Sequence, residues 1–368
     1  MRSLLLFLAS LSFAQPNPRV GFYQWESPVS SGLLRTARPR IESTGAGLLR
    51  IYLGARFDYI SPVLSPHRFE GLPDPTPARI LQLPWYRALL DDPALPTLVF
   101  TVYSSIDYGA GRDDINLLRP WSAREERAEY DQIFALSNLL LGDYGNLKKT
   151  VILANHEADN RMLEIMPHTG SPELAIRNLA AWQNTRFRAV DDARRRWPKA
   201  RLKLLNAFEI SLVNLAIFQD GHHFRIGPHG RWNALREVVP QVHYDLLSYS
   251  CYESINSPFE TGNVNTPAAQ TGPRLLRDLA LIARAARAPV MNGKLGFARE
   301  YFDPLPTGGV TARLDSALAA LRQARPPYVV FWQAFDAPRG RPEPYGFGLL
   351  EPGRPVPDVL LRFIRSIW

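Results

Sequence analysis

Polar, charged and aromatic residues crowd the ends of short apolar runs in this chain, and their types limit the chemistry it can perform. The first run closes in Tyr23-Gln24-Trp25-Glu26, the second carries Arg50 and Tyr52, and the third closes in Tyr103-Ser104-Ser105. The fourth is followed by Asn155-His156-Glu157-Ala158-Asp159, the fifth by Asn206-Ala207-Phe208-Glu209, and the sixth contains Ser248-Tyr249-Ser250-Cys251-Tyr252. The last two end in Gly293-Lys294-Leu295-Gly296 and Phe331-Trp332-Gln333. Pyranose rings stack on Trp and Tyr faces, and their hydroxyls need fixed hydrogen-bond partners, so aromatics beside carboxylates and amides point to carbohydrate. Glu157 is the first candidate for acid or base work, and Glu209 is the best second carboxylate. Asp159, Glu253, Glu300 and Asp303 are weaker candidates, because loop residues beyond a strand end are less tightly placed. A plainer role for Glu157 is a structural ion pair with Arg50 or Arg161, and for any one Tyr or Trp it is core packing.

Other chemistries have less behind them. His222 and His223 are adjacent, so their imidazoles do not share a helical face as a metal pair does, and no metal is expected. Ser250 lacks a Gly-x-Ser-x-Gly elbow, and Cys251 has no sequence cue for a partner histidine. Lys294 as a Schiff-base lysine is conceivable on a strand, but that role leaves Glu157 and the aromatics unexplained.

The elements that would hold these residues are eight runs rich in β-branched and aromatic residues: 20–25, 48–53, 98–103, 151–155, 202–206, 246–249, 290–293 and 329–332. Between them lie stretches with apolar residues three and four apart, as in 124–141, 172–197, 273–286 and 311–324. Strand alternating with helix gives a parallel sheet. The count of eight, and the lack of a dinucleotide-type glycine fingerprint, favour a closed (β/α)8 TIM barrel over an open doubly wound sheet. The Pro-rich stretch from Ser61 to Pro96 falls where such a barrel carries an enlarged upper loop.

Length and composition agree with a single α/β barrel. At 368 residues, with 46% hydrophobic and 21% charged residues, the chain can bury a large core and leaves little room for disorder. Met1-Arg2, the mostly apolar Ser3 to Leu11 and the small residues around Ala14 read as a signal peptide over 1–14, leaving residues 15–368 as one barrel domain in a secreted or periplasmic protein. No later apolar run is long enough to span a membrane. Cys251 is the single cysteine, so the fold is held by packing and not by an intrachain disulfide. The formal net charge is +8, but Arg-rich segments such as 186–196 alternate with apolar residues and read as solvated helix faces, so no nucleic-acid partner is expected.

Taken together, an Asn-x-Glu after the fourth strand, a Gly-x-x-Gly on the seventh, an Arg late in the second and a Trp ending the eighth resemble the clan A glycoside hydrolases. The nearest likeness is to little-characterised bacterial barrels with Asn-Trp-Glu-Gly-Asp after the fourth strand and Ser-Tyr-Ser-x-Tyr after the sixth. The resemblance covers most of the chain in strand order and implies retaining hydrolysis of a glycosidic bond, with Glu157 as general acid/base. Beside that glutamate, Arg50 and Asn155 are expected to position it and the sugar's hydroxyls, and Tyr23, His156, Tyr249, Lys294 and Trp332 are further candidates for substrate binding. At the position of the family's nucleophile stands Lys294, which cannot form a glycosyl ester. Two expectations stay open: a hydrolase that pairs Glu157 with Glu209, or a sugar-binding barrel that has lost turnover. An envelope interaction protein is a third, more distant reading. No cofactor is expected, because glycoside hydrolysis needs two carboxyl groups and water.

Overall fold

Along each core strand, successive side chains face opposite ways, and in this chain both faces are apolar except near the strand ends, as a fully covered parallel sheet requires. The computed structural model describes residues 15–24, 33–54, 76–104, 120–255, 267–297, 307–334, 349–350 and 355–366. Trp25, Glu26, Ser105, Glu300, Asp303 and residues 1–14, the expected signal peptide, lie outside them.

Ten strands are numbered here in chain order: β1 Asn17–Gln24, β2 Ala46–Leu53, β3 Thr97–Val102, β4 Thr150–Ala154, β5 Lys203–Ile210, β6 Ala216–Asp220, β7 His223–Gly227, β8 Leu246–Ser250, β9 Val290–Leu295 and β10 Val329–Trp332. Eight of them close into a barrel in the order β1-β10-β9-β8-β5-β4-β3-β2, and every pairing is parallel. The expected (β/α)8 barrel is therefore the fold. The eight sequence runs coincide with these strands to within a few residues at either end, with β5 continuing beyond Asn206 to Ile210.

β6 and β7 form a separate antiparallel hairpin between β5 and β8. Its turn contains Gly221 at φ +60, a left-handed conformation that glycine adopts without a Cβ penalty. His222 lies in that turn and His223 opens β7, and among the described residues no cluster of His, Cys, Asp or Glu is placed to hold a metal ion.

The barrel lumen is filled by Leu48, Val99, Ile152, Ala154, Ala207, Leu246, Met291 and Val330, with Tyr23 above them. The alternate residues, among them Phe22, Leu49, Phe100, Leu153, Phe208, Leu247 and Phe331, face outward into a second and larger core. That outer core is shared with the helices Ala123–Asp143, Pro172–Arg196, Ala268–Ala285 and Thr307–Ala324, the four anticipated from periodicity. Two of them open with built caps. Ser122 and Glu125 form a reciprocal capping box, and the Ser171 hydroxyl accepts from Leu174 N. No helix among the described residues is long and apolar enough to cross a membrane.

Candidate functional site

Strand parity decides which polar residues reach the lumen. Leu48 fills it on β2, so Arg50 two residues later points the same way, and on β5 Ala207 is followed by Glu209. Ser248 and Ser250 follow Leu246 on β8 by the same rule. β9 breaks the rule. Its register shifts against both neighbours, with Tyr249 opposite Asn292 but Ser250 opposite Lys294, and Val329 opposite Asn292 but Phe331 opposite Leu295. Regular alternation after Met291 would turn Lys294 outward. The bulge at Gly293 re-aims it into the lumen, which is a characteristic use of such irregularities.

The result is a buried quartet of two cations and two carboxylates. Arg50 donates from Nη1 to Glu209 Oε2 and from Nη2 to Glu209 Oε1 at 3.0 Å, a two-pronged pair with both side chains fully buried. Its remaining donors reach Thr101 Oγ1 at 3.0 Å, the Gly293 carbonyl at 3.1 Å and the Asn155 carbonyl at 3.4 Å. The Lys294 ammonium lies 2.8 Å from Glu157 Oε1 and 3.4 Å from Glu209 Oε1, so a single nitrogen bridges the two carboxylates. Glu157 also accepts from Ser250 Oγ at 2.6 Å and from the Asn160 amide, and Ser248 Oγ donates to Glu209 at 2.9 Å.

Gly293 has a steric reason to be glycine. A Cβ there would come 2.0 Å from Ser248 Oγ, 2.5 Å from Glu209 Oε2 and 3.2 Å from Arg50 Nη1. The backbone of β9 must approach the Arg50–Glu209 pair too closely to carry a side chain.

Aromatics enclose the cations. Tyr23 lies beneath them, its hydroxyl donating to Thr101 Oγ1 at 2.9 Å, with the Arg50 guanidinium 4.5 Å from its ring centre. Lys294 Nζ stands 5.8 Å from the Tyr23 ring and 5.5 Å from the Trp332 ring, and these two rings meet edge to face at 4.8 Å. Trp332, Tyr103, Tyr252 and His156 are half-buried. They provide stacking and hydrogen-bonding surface at the upper end of the lumen.

The ionisation states follow from this geometry. Burial is the largest influence on the Glu157 carboxyl and would raise it, but the Lys294 ammonium and His156 together outweigh it, and the pKa falls below its ordinary value. Burial is opposed in the same way at Glu209, where Arg50 and then Lys294 bring the pKa down to about 2. On Arg50, burial disfavours the charge, yet Glu209 more than restores it and the pKa is raised. Burial, reinforced by the nearby ammonium, pushes His156 down to about 4, so its imidazole is neutral at pH 7. Both carboxylates are thus ionised at neutrality, each held by a cation.

Of the residues singled out in the sequence, Arg50, Glu157, Glu209, Lys294, Tyr23 and Trp332 come together here. Asn155 and His156 join them from the β4 end. Asn155 exchanges hydrogen bonds with the Glu209 backbone, accepting from its N at 2.7 Å and donating to its carbonyl at 3.2 Å. Tyr249 does not join them. It is fully buried in the outer core, with its hydroxyl 2.8 Å from Ser254 Oγ, because its parity on β8 is opposite to that of Ser248 and Ser250. Those two serines and Gly293 stand in the strand-end motifs of the sequence but were given no binding role there, and Thr101 and Asn160 are site residues that the sequence did not single out. The pleat around Tyr249 was the available signal for the serines.

The weaker carboxylates are occupied elsewhere. Asp159 accepts from the amides of Ser211, Leu212 and Ala234 at 2.7, 3.0 and 2.6 Å, and ties the segment after β5 to the Ala158–Thr169 helix. Glu253 accepts from the amides of Val213 and Asn214 at 2.6 and 2.9 Å. Arg161 pairs with Glu164 at 3.9 Å rather than with Glu157. The Cys251 thiol is buried and donates to the Lys294 carbonyl at 2.9 Å.

No family model matches the chain, and no curated protein matches it. Solved structures do. The chain is similar to a GH5_18 from Bifidobacterium longum subsp. infantis at 14% identity and TM-score 0.59, over 95% of this chain and 79% of that one. It is similar to an endo-beta-1,4-mannanase from Thermotoga petrophila at 13% identity and TM-score 0.59, over 96% and 77%. It is also similar to a hyperthermophilic beta-glucosidase from Pyrococcus furiosus at 12% identity and TM-score 0.54, over 95% and 94%. The fold is accordingly that of the glycoside hydrolase barrels.

Proposed function

We propose that the protein binds an oligosaccharide or glycan across the upper end of its barrel and does not hydrolyse it. The observation that carries this reading is the Lys294 ammonium lying between Glu157 and Glu209. Glycosidases of both stereochemical kinds need one carboxyl group that starts protonated and one carboxylate free to attack or to activate water. Here both groups are held ionised, and the space between them is filled by a cation. The half-buried Trp332, Tyr103 and Tyr252 and the neutral His156 supply the stacking faces and hydrogen-bonding edge that a sugar requires. Export through the 1–14 leader belongs to the same proposal and rests on the sequence pattern of that segment.

A second reading keeps catalysis, with Glu157 as acid/base and Glu209 as nucleophile. It is favoured by the closeness of the two carboxylates. With one nitrogen 2.8 Å from one and 3.4 Å from the other, their facing oxygens are nearer than the roughly 6.5 Å at which inverting separations begin. For that reading to hold, sugar binding must displace Lys294.

The deciding experiment measures binding of a panel of natural oligosaccharides by calorimetry beside hydrolysis of the same panel and of aryl glycosides, using wild type, Glu157→Gln and Lys294→Glu. Binding by wild type with no turnover is the expected result, and hydrolysis regained in Lys294→Glu would strengthen it. Wild-type turnover abolished by Glu157→Gln would replace it with the second reading. The absence of both binding and turnover would overturn both.

A further inference from the structure

In a parallel barrel all strands start at one rim, and the helices that return the chain end there. On this protein that lower rim, opposite the quartet, is strongly basic over the arc formed by β9, β10 and β1. Arg287 lies in the link into β9, Arg325 in the link into β10, and Arg19 near the start of β1. Arg322 closes the Thr307–Ala324 helix, and Arg362 and Arg365 lie on the Asp358–Ser366 helix. All six are exposed, and none pairs with a carboxylate among the described residues.

The helices on this arc carry few acids, and Glu42, close to the start of β1, is paired with Arg38. Asp278 is buried and accepts from Asn214 and Ser254, Asp315 is about two turns above Arg322, and Asp358 opens the last helix. Arg322, Arg362 and Arg365 line one shallow depression of about 560 Å³ together with Ser366, Leu361 and Asp358. The Arg322 guanidinium is fixed there, 5.3 Å from the Phe363 ring centre. Compensation of helix dipoles accounts for basic residues in a last helical turn, such as Arg322 and Arg365. It does not account for Arg19, Arg287 and Arg325, which stand in strands or links.

We infer that this basic arc docks the protein onto a bilayer bearing anionic phosphate headgroups, which leaves the upper end of the barrel facing away from the surface. Juxtaposed arginines on one face gain from the negative potential of such a leaflet, and the gain is lost over a Debye length. A single-stranded nucleic acid would need stacking platforms beside the charge. Among the described residues the exposed large hydrophobic residue is Trp197, which belongs to the β5 side of the barrel and not to this arc.

The test is cosedimentation of the full chain with vesicles of phosphatidylcholine alone or with about a third phosphatidylglycerol, at low and at physiological salt. The expected result is binding to the anionic vesicles only, weakened by salt. Changing Arg287, Arg325, Arg362 and Arg365 together to Gln should lower the partition coefficient on the order of 1,000-fold at low salt, and changing the same four to Lys should largely preserve it. The apolar leader is common to all these chains and cannot produce the difference. A circular-dichroism melt checks that the variants fold, and sugar binding should be unchanged in them. Binding to neutral vesicles as strong as to anionic ones, no binding to either, or undiminished binding by the folded Gln variant would each overturn the inference. Tighter binding to a soluble polyanion such as polyuridylate than to the vesicles would assign the arc to a dissolved partner instead.

Discussion

Lys294 Nζ and Glu157 Oε1 are 2.8 Å apart with both side chains nearly inaccessible, so each charge relies on the other for the solvation that water would give. Breaking such a pair from one side leaves an uncompensated buried charge, which costs about 3–5 kcal/mol. Lys294→Met is expected to destabilise by this order in urea unfolding. Removing both charges, in Lys294→Met with Glu157→Gln, should recover a large part of the loss, giving a coupling energy well outside additivity. Simple additivity would mean that the contact is not formed in solution.

The same substitution should reverse the direction in which Glu157 titrates. Without the ammonium, burial becomes the dominant influence, and the carboxyl should move from below to above its ordinary value of 4.5. Carbon-detected NMR of the Glu157 carboxyl through a pH series reads this directly, and an unchanged midpoint would show that another group sets its charge.

Acid should weaken the fold in two stages. His156 has a pKa near 4 in the fold against 6.5 ordinarily, so its contribution is complete above pH 6.5 and is lost as the pH falls toward 4. Glu209 has a pKa near 2 against 4.5, so its contribution is complete above pH 4.5 and is lost as the pH falls toward 2. Asp159, whose carboxyl burial raises, acts in the opposite sense and offsets part of the loss. Melting temperature against pH should therefore decline from about pH 6.5 downward. His156→Gln should flatten the upper stage and leave the lower one in place.

Gly293→Ala should cost about 1–3 kcal/mol or more, because the added methyl would overlap Ser248 and Glu209 in a packed interior. Ser248→Ala should recover only part of this, since the Glu209 oxygen still stands in the way. Thermal melts of the single and double variants check it, and a neutral Gly293→Ala would mean that β9 lies farther from the pair.

Asp159→Asn is expected to loosen the segment after β5 by about 2 kcal/mol or more, because an amide NH2 would face backbone donors that now meet a carboxylate. Faster hydrogen exchange at Ser211, Leu212 and Ala234 is the measurement. Retained protection at those amides would assign the clamp to other contacts.

The barrel was legible because its evidence is repeated: eight apolar runs separated by helical periods leave few alternatives, and every run became a strand. Side-chain direction was harder to read. Tyr249 was expected beside the carboxylates because it is aromatic and near a strand end, yet parity turns it outward and brings in Ser248 and Ser250, its neighbours in the same motif, which had no expected part in binding. For Lys294 the difficulty was greater, since its inward aim depends on a bulge that neighbouring strands impose. The pairing of Arg50 with Glu209 rather than Glu157 likewise depends on which strand ends face each other across the lumen, and no local pattern records that.

The two closest ion pairs of the quartet join the first four barrel strands to the last four. Arg50 and Glu157 come from β2 and the end of β4, while Glu209 and Lys294 come from β5 and β9, where they also stand 3.4 Å from each other. The first half alone would leave Arg50 and Glu157 without these partners, and the second half would keep only the longer Lys294–Glu209 contact. Ring closure thus completes the neutralisation of all four charges, and chains severed between β4 and β5 would carry in these residues complementary charges for recognising each other.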